Sequence, residues 1–298
     1  MNQIVDKQQI KELSRLSKEE WREYTKTVWH IANTVHPAHP AVFPIEIPHR
    51  LIKLFTFWGD TVLDPFGGTG TTAVAALKLG RNAIVVDQNS EYVAIASKEA
   101  DVIACNGLRF QGVVGDSRCL DWIEDNSVGL VVTSPPYWNK ADYGGTDANL
   151  GNIAGYTDFI ESLRPTFEES FRALMPGRKL CIVTANVSQH TDHGLLTFPL
   201  ATDILVMLRS IGFAIVNEII WSKDGTGGRW GSWGKQRPIF GSYPYPPNFL
   251  FKTVHEYILI VSKPPASPTR GPKVKPLAKL MAGSNGSIID TSSKPGPY

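Results

Sequence analysis

The chain has 298 residues, 42% of them hydrophobic and 19% charged, the balance of a globular protein with one large α/β domain and a small elaboration, or two modest domains. Its three cysteines, Cys105, Cys119 and Cys181, are isolated and lack CxxC spacing, which argues against a disulfide framework or a thiolate zinc site and suits a reducing cytoplasm. A net charge of +2, a polar start without an apolar core, and apolar runs no longer than stretches such as Tyr257 to Val261 predict no secretory leader and no membrane span.

Lys7 to Ala32 reads as helical, with Ile10, Leu13, Leu16, Trp21 and Tyr24 recurring at three-to-four spacing. A proline-punctuated loop then ends near Pro44 and leads into an amphipathic helix. TVLDPF (61–66) is an apolar strand closed by a turn, and TTAVAALKLG (71–80) is a helix stopped by Gly80. NAIVVD (82–87) and SEYVAIASKEA (90–100) repeat the strand–helix pattern. FQGVVGD (110–116) ends at Asp116, and VGLVVTSPPY (128–137) is a buried strand running into a stiff turn. A long amphipathic helix from Tyr156 to Met175 precedes the strand KLCIVTAN (179–186). A helix ending at Gly212, the strand FAIVNEIIW (213–221) and a final strand EYILIVSK (256–263) complete the series. Seven strands with interleaved helices predict a doubly wound, Rossmann-like α/β fold around a mixed, mainly parallel sheet.

The expected organisation is a helical segment over 1–34, a main domain over 35–263 with a small insertion at about 224–248, and a flexible basic tail over 264–298 rich in Pro, Ser, Gly and Lys. Between Trp221 and Leu280 ten Lys or Arg face only two acids, Asp224 and Glu256, which suits a polyphosphate partner or, equally, a solvated basic surface. The insertion mixes Arg229, Lys235, Gln236 and Arg237 with aromatics. Such side chains can read base edges or hold phosphates alone, and both readings stand. His36, His39 and His255 are too scattered or proline-fixed to suggest a metal site.

Two turns carry chemistry. Asp64-Pro65-Phe66-Gly67-Gly68-Thr69-Gly70-Thr71-Thr72 joins a strand to a helix. Its glycines allow close backbone approach to a ligand, and its threonines offer hydroxyls and N–H groups at a helix start. It is neither G-x-G-x-x-G nor a P-loop, so a pyrophosphate cradle is not expected. Asp87 ends the next strand, where doubly wound folds place an acid on ribose hydroxyls. A phosphate-free nucleoside with an amino-acid end fits both features; the plain alternative is a glycine turn with Asp87 as a helix cap. The second turn, Ser134-Pro135-Pro136-Tyr137-Trp138, hangs off the carboxyl end of a strand. Two prolines fix φ and remove two donors, Ser134 adds an acceptor, and Tyr137 adds an aromatic plate. That set suits a planar heterocycle bearing an amino group; by itself it could also be a surface turn.

Together these segments resemble the family of DNA amino-methyltransferases, which modify N6 of adenine or N4 of cytosine. The resemblance runs from about Val35 to Lys263. It rests on HPAHPAVFPIEIPHRLI, LDPFGGTGTTAVAALKLGR, IVVDQNSEYVAIA, VVGDSRCLDWIEDNSVGLVVTSPPYW and PNFLFKTVHEYILIVSK. It implies S-adenosyl-L-methionine as cofactor, no metal, and duplex DNA as partner. It admits a cognate restriction endonuclease and a monomer or homodimer. It implies cofactor contacts from His39, Pro40, Asp64, Pro65, Phe66, Gly67, Gly68, Gly70, Thr71, Thr72, Asp87 and, near the adenine, Asp116. Ser134, Pro135, Pro136 and Tyr137 would form the catalytic turn, and Trp138, Arg229, Lys235 and Arg237 would meet the substrate. Adenine enzymes usually carry Asp or Asn where Ser134 stands, so N4 of cytosine is the expected target and N6 of adenine the alternative. Two features depart from the family pattern: the cofactor block precedes the catalytic block, and Gly-Gly-Thr-Gly follows Phe66. No cysteine adjoins a proline in a catalytic loop, which sets aside a covalent carbon-5 route. RNA methylation, protein glutamine methylation and a silent DNA-binding module are competing readings.

Overall fold

The computed structural model describes residues 6–34, 43–103, 107–138, 150–223 and 253–267, together with Tyr245, Pro247, Phe251 and Lys275. The N-terminal stretch departs from the expected single helix. It forms α1 (Lys7–Leu13) and α2 (Lys18–Tyr24), each opened by a capping box, Asp6 with Gln9 and Ser17 with Glu20. The second box starts a new helix where hydrophobic spacing alone suggests continuation. Val28–His30 is then a strand, β1. Its central Trp29 is buried and pairs in register with Trp221, whose indole N–H donates to the Ile31 carbonyl at 2.9 Å.

After α3 (Glu46–Phe55) come β2 (Thr61–Asp64), α4 (Thr71–Lys78), β3 (Asn82–Asp87), α5 (Ser90–Ile103), β4 (Phe110–Val114) and β5 (Val128–Thr133). Next are α6 (Tyr156–Ala173), β6 (Leu174–Thr184), β7 (Val187–Thr191), β8 (Gly194–Phe198), α7 (Leu200–Ile211), β9 (Ala214–Ser222) and β10 (His255–Ser262). The seven expected strands and β1 make one eight-stranded sheet in the order β1-β9-β10-β6-β5-β2-β3-β4, while β7 and β8 form a separate hairpin that periodicity did not reveal. Within the eight-stranded sheet only β10 runs antiparallel to its neighbours.

The alternation of side chains splits each central strand between two cores. Val128, Val131, Leu180, Ile182, Leu259 and Val261 meet α6 and α7 on one face. Leu130, Val132, Cys181, Val183, Ile258 and Ile260 meet α3 and α4 on the other. Every residue of β5 is buried, as expected for a central strand covered on both faces. The doubly wound, mainly parallel architecture therefore stands, and no described helix is long and apolar enough to cross a membrane.

This packing assigns a cost to the middle of β5. Leu130→Ala, at a fully buried position, should lower unfolding free energy by about 2–5 kcal/mol. In urea titrations the midpoint should fall while the slope is unchanged, because the surface exposed on unfolding is nearly the same.

Candidate active site

Parallel strands deliver their carboxyl ends to one edge of the sheet: Asp64 from β2, Asp87 from β3, and Thr133 followed by Ser134 from β5. β6 and β9 end there too, with Thr184 and Ser222. Since β10 is antiparallel, it contributes its amino end, His255 and Glu256, opposite Ser222 and Trp221. β1 pairs His30 with Ser222, so the chain also leaves β1 at this edge.

The centre of the edge is Asp64, 2% exposed. One oxygen accepts from the Phe66 N–H at 3.1 Å and the Thr133 hydroxyl at 2.7 Å; the other accepts from the Thr72 hydroxyl at 2.6 Å. Burial pushes its pKa up from 3.8 to about 6, against the lowering effect of Thr133, Thr72 and the Phe66 amide. Asp64 and Thr72, expected to touch a cofactor, bond to each other and hold the loop.

Above Asp64 the chain turns through Pro65 to Gly70. Gly67 donates to the Val86 carbonyl at 2.9 Å, and a Cβ there would lie 2.1 Å from a Val85 methyl. Gly70 has φ +88°, and a Cβ on it would meet Ala96 Cβ at 2.7 Å. Only glycine lets the loop lie this close to β3 and α5. The Gly68 N–H donates to Asp87 Oδ2 at 2.8 Å, and Oδ1 of Asp87 accepts from the Asn89 N–H at 2.8 Å. Asp87 therefore caps the turn into α5 and ties it to the glycine loop while staying half-buried. Asp116, just beyond β4, is gripped by Arg118, whose Nε lies 2.9 and 3.0 Å from the two carboxylate oxygens. That guanidinium holds the Asp116 carboxyl below the usual carboxylate range.

The second turn begins at Thr133. Ser134 is half-buried, Pro135 buried, and Tyr137 half-buried. The Ser134 hydroxyl donates to Tyr137 Oη at 3.1 Å, and Tyr137 Oη donates to Glu256 Oε2 at 3.1 Å. Lys223 pairs with the other oxygen of Glu256 and lies over the Trp221 ring, 4.3 Å from its centroid. Trp138, expected to receive substrate, is instead 6% exposed. Its ring centroid lies 5.2 Å from Tyr156 and 4.9 Å from Phe198, and its N–H donates to the Ile153 carbonyl at 3.0 Å. In this arrangement it anchors the turn in the core.

His39 and Pro40, and the insertion residues Arg229, Lys235 and Arg237, lie outside the described residues. Among the described residues no group of three His, Cys, Asp or Glu could hold a metal ion. Cys181 is fully buried, with its thiol pKa raised by that burial, so it is no candidate nucleophile. Thr133, Arg118, Lys223 and Glu256 were not singled out from sequence. The available signals were modest: Glu256 is one of two acids in a basic stretch and heads an apolar strand.

The model of the N6/N4 DNA methylase family matches residues 2–98 and 128–285. The type II methyltransferase M.BglI of Bacillus subtilis is 44% identical over 90 residues, covering 30% of this chain and 26% of that protein. The type II methyltransferase M.MjaI of Methanocaldococcus jannaschii is 46% identical over 83 residues, covering 26% and 27%. A structure described as a DNA modification methylase of Thermus thermophilus, complexed with S-adenosyl-L-methionine, is 34% identical with a TM-score of 0.38, covering 56% of this chain and 63% of that one. The aligned part thus spans about a quarter of each type II relative and three fifths of the Thermus chain.

The buried carboxylate at the centre of the site has a measurable signature. Folded Asp64 keeps its proton up to about pH 6, whereas an unfolded aspartate releases it near about pH 4. The folded state therefore binds more protons in that window, and stability falls as pH rises through it. Relative to Asp64→Asn, the wild type should lose about 2 kcal/mol between about pH 4 and pH 7. Urea unfolding of both proteins across that range reads the difference.

Proposed function

We propose, since the chain belongs to the N6/N4 DNA methylase family, that it is an S-adenosyl-L-methionine-dependent methyltransferase acting on the N4 amino group of cytosine in duplex DNA. The observation that carries this reading is the Asp64 carboxylate, which holds the glycine loop through Phe66 and Thr72 and the Ser-Pro-Pro-Tyr turn through Thr133. A site for the methyl donor and a site for an amino heterocycle are thereby fastened side by side on one sheet edge.

The donor set fits the cofactor's chemistry. No lysine or arginine occurs between Gly67 and Thr72, so the loop offers backbone to a phosphate-free ligand instead of charge to a pyrophosphate. Asp87, half-buried and already fixed by Gly68 and Asn89, has carboxylate lone pairs suited to a ribose diol. Asp116 would sit near the base of the nucleoside. When bound, the cofactor supplies a methyl group on a sulfonium sulfur, which departs as a neutral thioether.

The protein's share is placement and electrostatics. Ser134 and the Pro135 carbonyl accept hydrogen bonds from the two amino N–H groups, drawing the nitrogen toward a tetrahedral geometry whose lone pair can attack, and the methylated nitrogen then releases one proton to solvent. Tyr137 presents its ring to the heterocycle. A base within a duplex cannot reach such a recess, so it must be flipped out at a cost of about a few kcal/mol. Ser134, a hydroxyl where a carboxylate or amide would favour adenine, supports cytosine as the target.

Incubation of the protein with mixed-sequence duplex DNA and labelled S-adenosyl-L-methionine, then nucleoside mass spectrometry, tests the reading. N4-methylcytosine is expected. N6-methyladenine would keep the mechanism and overturn the argument from Ser134, and no methylated nucleoside would overturn the proposal. Ser134→Ala should lower kcat by about tenfold or more with cofactor Kd unchanged. Asp87→Ala should raise cofactor Kd by about tenfold, the scale of a charge-assisted hydrogen bond. Calorimetry separates the two effects.

A further inference from the structure

Resting on the amino-methyl-transfer reading, we propose that Glu256, braced by Lys223, sets the polarity of the Ser134 hydroxyl through Tyr137, so that Ser134 meets the target amine as an acceptor. Glu256 and Lys223 are positioning residues: neither needs to touch the base.

The argument begins with an ambiguity. A serine hydroxyl has one proton and two acceptor lone pairs, and a target amine presents both N–H donors and a nitrogen lone pair. If Ser134 donated its proton to that nitrogen, it would occupy the lone pair that must attack. Productive contact requires the reverse, with the amine donating and Ser134 accepting, so the serine proton must be engaged elsewhere.

The structure provides the place. Ser134 Oγ lies 3.1 Å from Tyr137 Oη, which lies 3.1 Å from Glu256 Oε2. A carboxylate can only accept, so Tyr137 must give its proton to Glu256. The phenol oxygen then accepts from Ser134, and the serine lone pairs remain for the amine. Hydrogen-bond direction along the row is dictated from its far end. Lys223 pairs with the other oxygen of that carboxylate and holds it in place. The side chains of Lys223 and Glu256 are 13% and 12% exposed, so water competes little for the pair. Tyr137 is also held in place by its hydroxyl, which fixes the ring offered to the heterocycle. The antiparallel β10 makes this possible, since it carries the amino end of that strand to the edge where the parallel strands end.

A double-mutant cycle on the full chain provides the test, with kcat for DNA methylation and cofactor Kd measured for wild type, Glu256→Gln, Tyr137→Phe and the double variant. A glutamine keeps the shape but can donate to the phenol oxygen, releasing the constraint on direction. Glu256→Gln should lower kcat about tenfold to a hundredfold at unchanged cofactor Kd. In the Tyr137→Phe background the same change should cost little, because the row is already cut. Lys223→Met should show the same pattern as Glu256→Gln. Additive losses would overturn the relay while leaving methyl transfer intact. A wild-type protein that methylates no amino nitrogen would overturn both this proposal and the function beneath it.

Discussion

A single buried carboxylate organises the functional edge of this molecule. Asp64 sits where β2 ends, and its three hydrogen bonds reach the glycine loop, the first turn of α4 and the last residue of β5. Burying a carboxylate is costly unless its lone pairs are occupied. Two hydroxyls and an amide occupy these, yet burial still raises the pKa to about 6. The protein thus retains an unfavourable group because its geometry is useful. A methyl donor and an acceptor amine must be aligned to within a fraction of an ångström for direct transfer, and Asp64 ties together the two turns that would hold them.

Topology explains why so few residues suffice. Parallel strands with helices on both faces bring all their carboxyl ends to one edge, where the chain must turn and where side chains escape the cores. The sheet departs from this rule only at β10, and that departure lets Glu256 face Tyr137 across 119 positions of sequence. β1 extends the same logic: its pairing with β9 brings the chain out beside Ser222 and ahead of the segment containing His39 and Pro40.

What was legible in the sequence was what local spacing encodes. Strand–helix alternation announced the doubly wound sheet, because each buried strand and its crossover helix carry their own periodicity. The glycine loop and the Ser-Pro-Pro-Tyr turn were legible because close backbone approach and rigid carbonyls demand particular residue types side by side. The partners of those residues were less so. Nothing near Asp64 tells that it will meet Thr133 sixty-nine positions later, so its fastening role was not legible. β1 is three residues long, too short to show a period, and lay within helical spacing. The hairpin of β7 and β8 is short and mostly exposed, with Leu195 and Leu196 adjacent in sequence, so it shows no alternating apolar face to notice.

Trp138 joins the backbone of the site to its core. It has φ +49°, a region that costs a bulky residue on the order of 1–2 kcal/mol. Such a conformation persists only when the surroundings determine it. Here the indole N–H bonds to the Ile153 carbonyl and the ring packs against Tyr156 and Phe198. Tyr156 is fixed in turn by Asp203 on α7, and burial, aided by that bond, raises the phenol's pKa. The two prolines restrict the turn from within, while the tryptophan fixes its exit from the side. Ser134 and Tyr137 lie between these constraints, so the polar row that ends at Glu256 begins from a backbone with little freedom to yield. A flexible turn could form the same hydrogen bonds but would not hold the serine oxygen in one place. The strain at Trp138 and the buried carboxyl of Asp64 therefore serve one end, a turn held rigidly at the edge of the sheet.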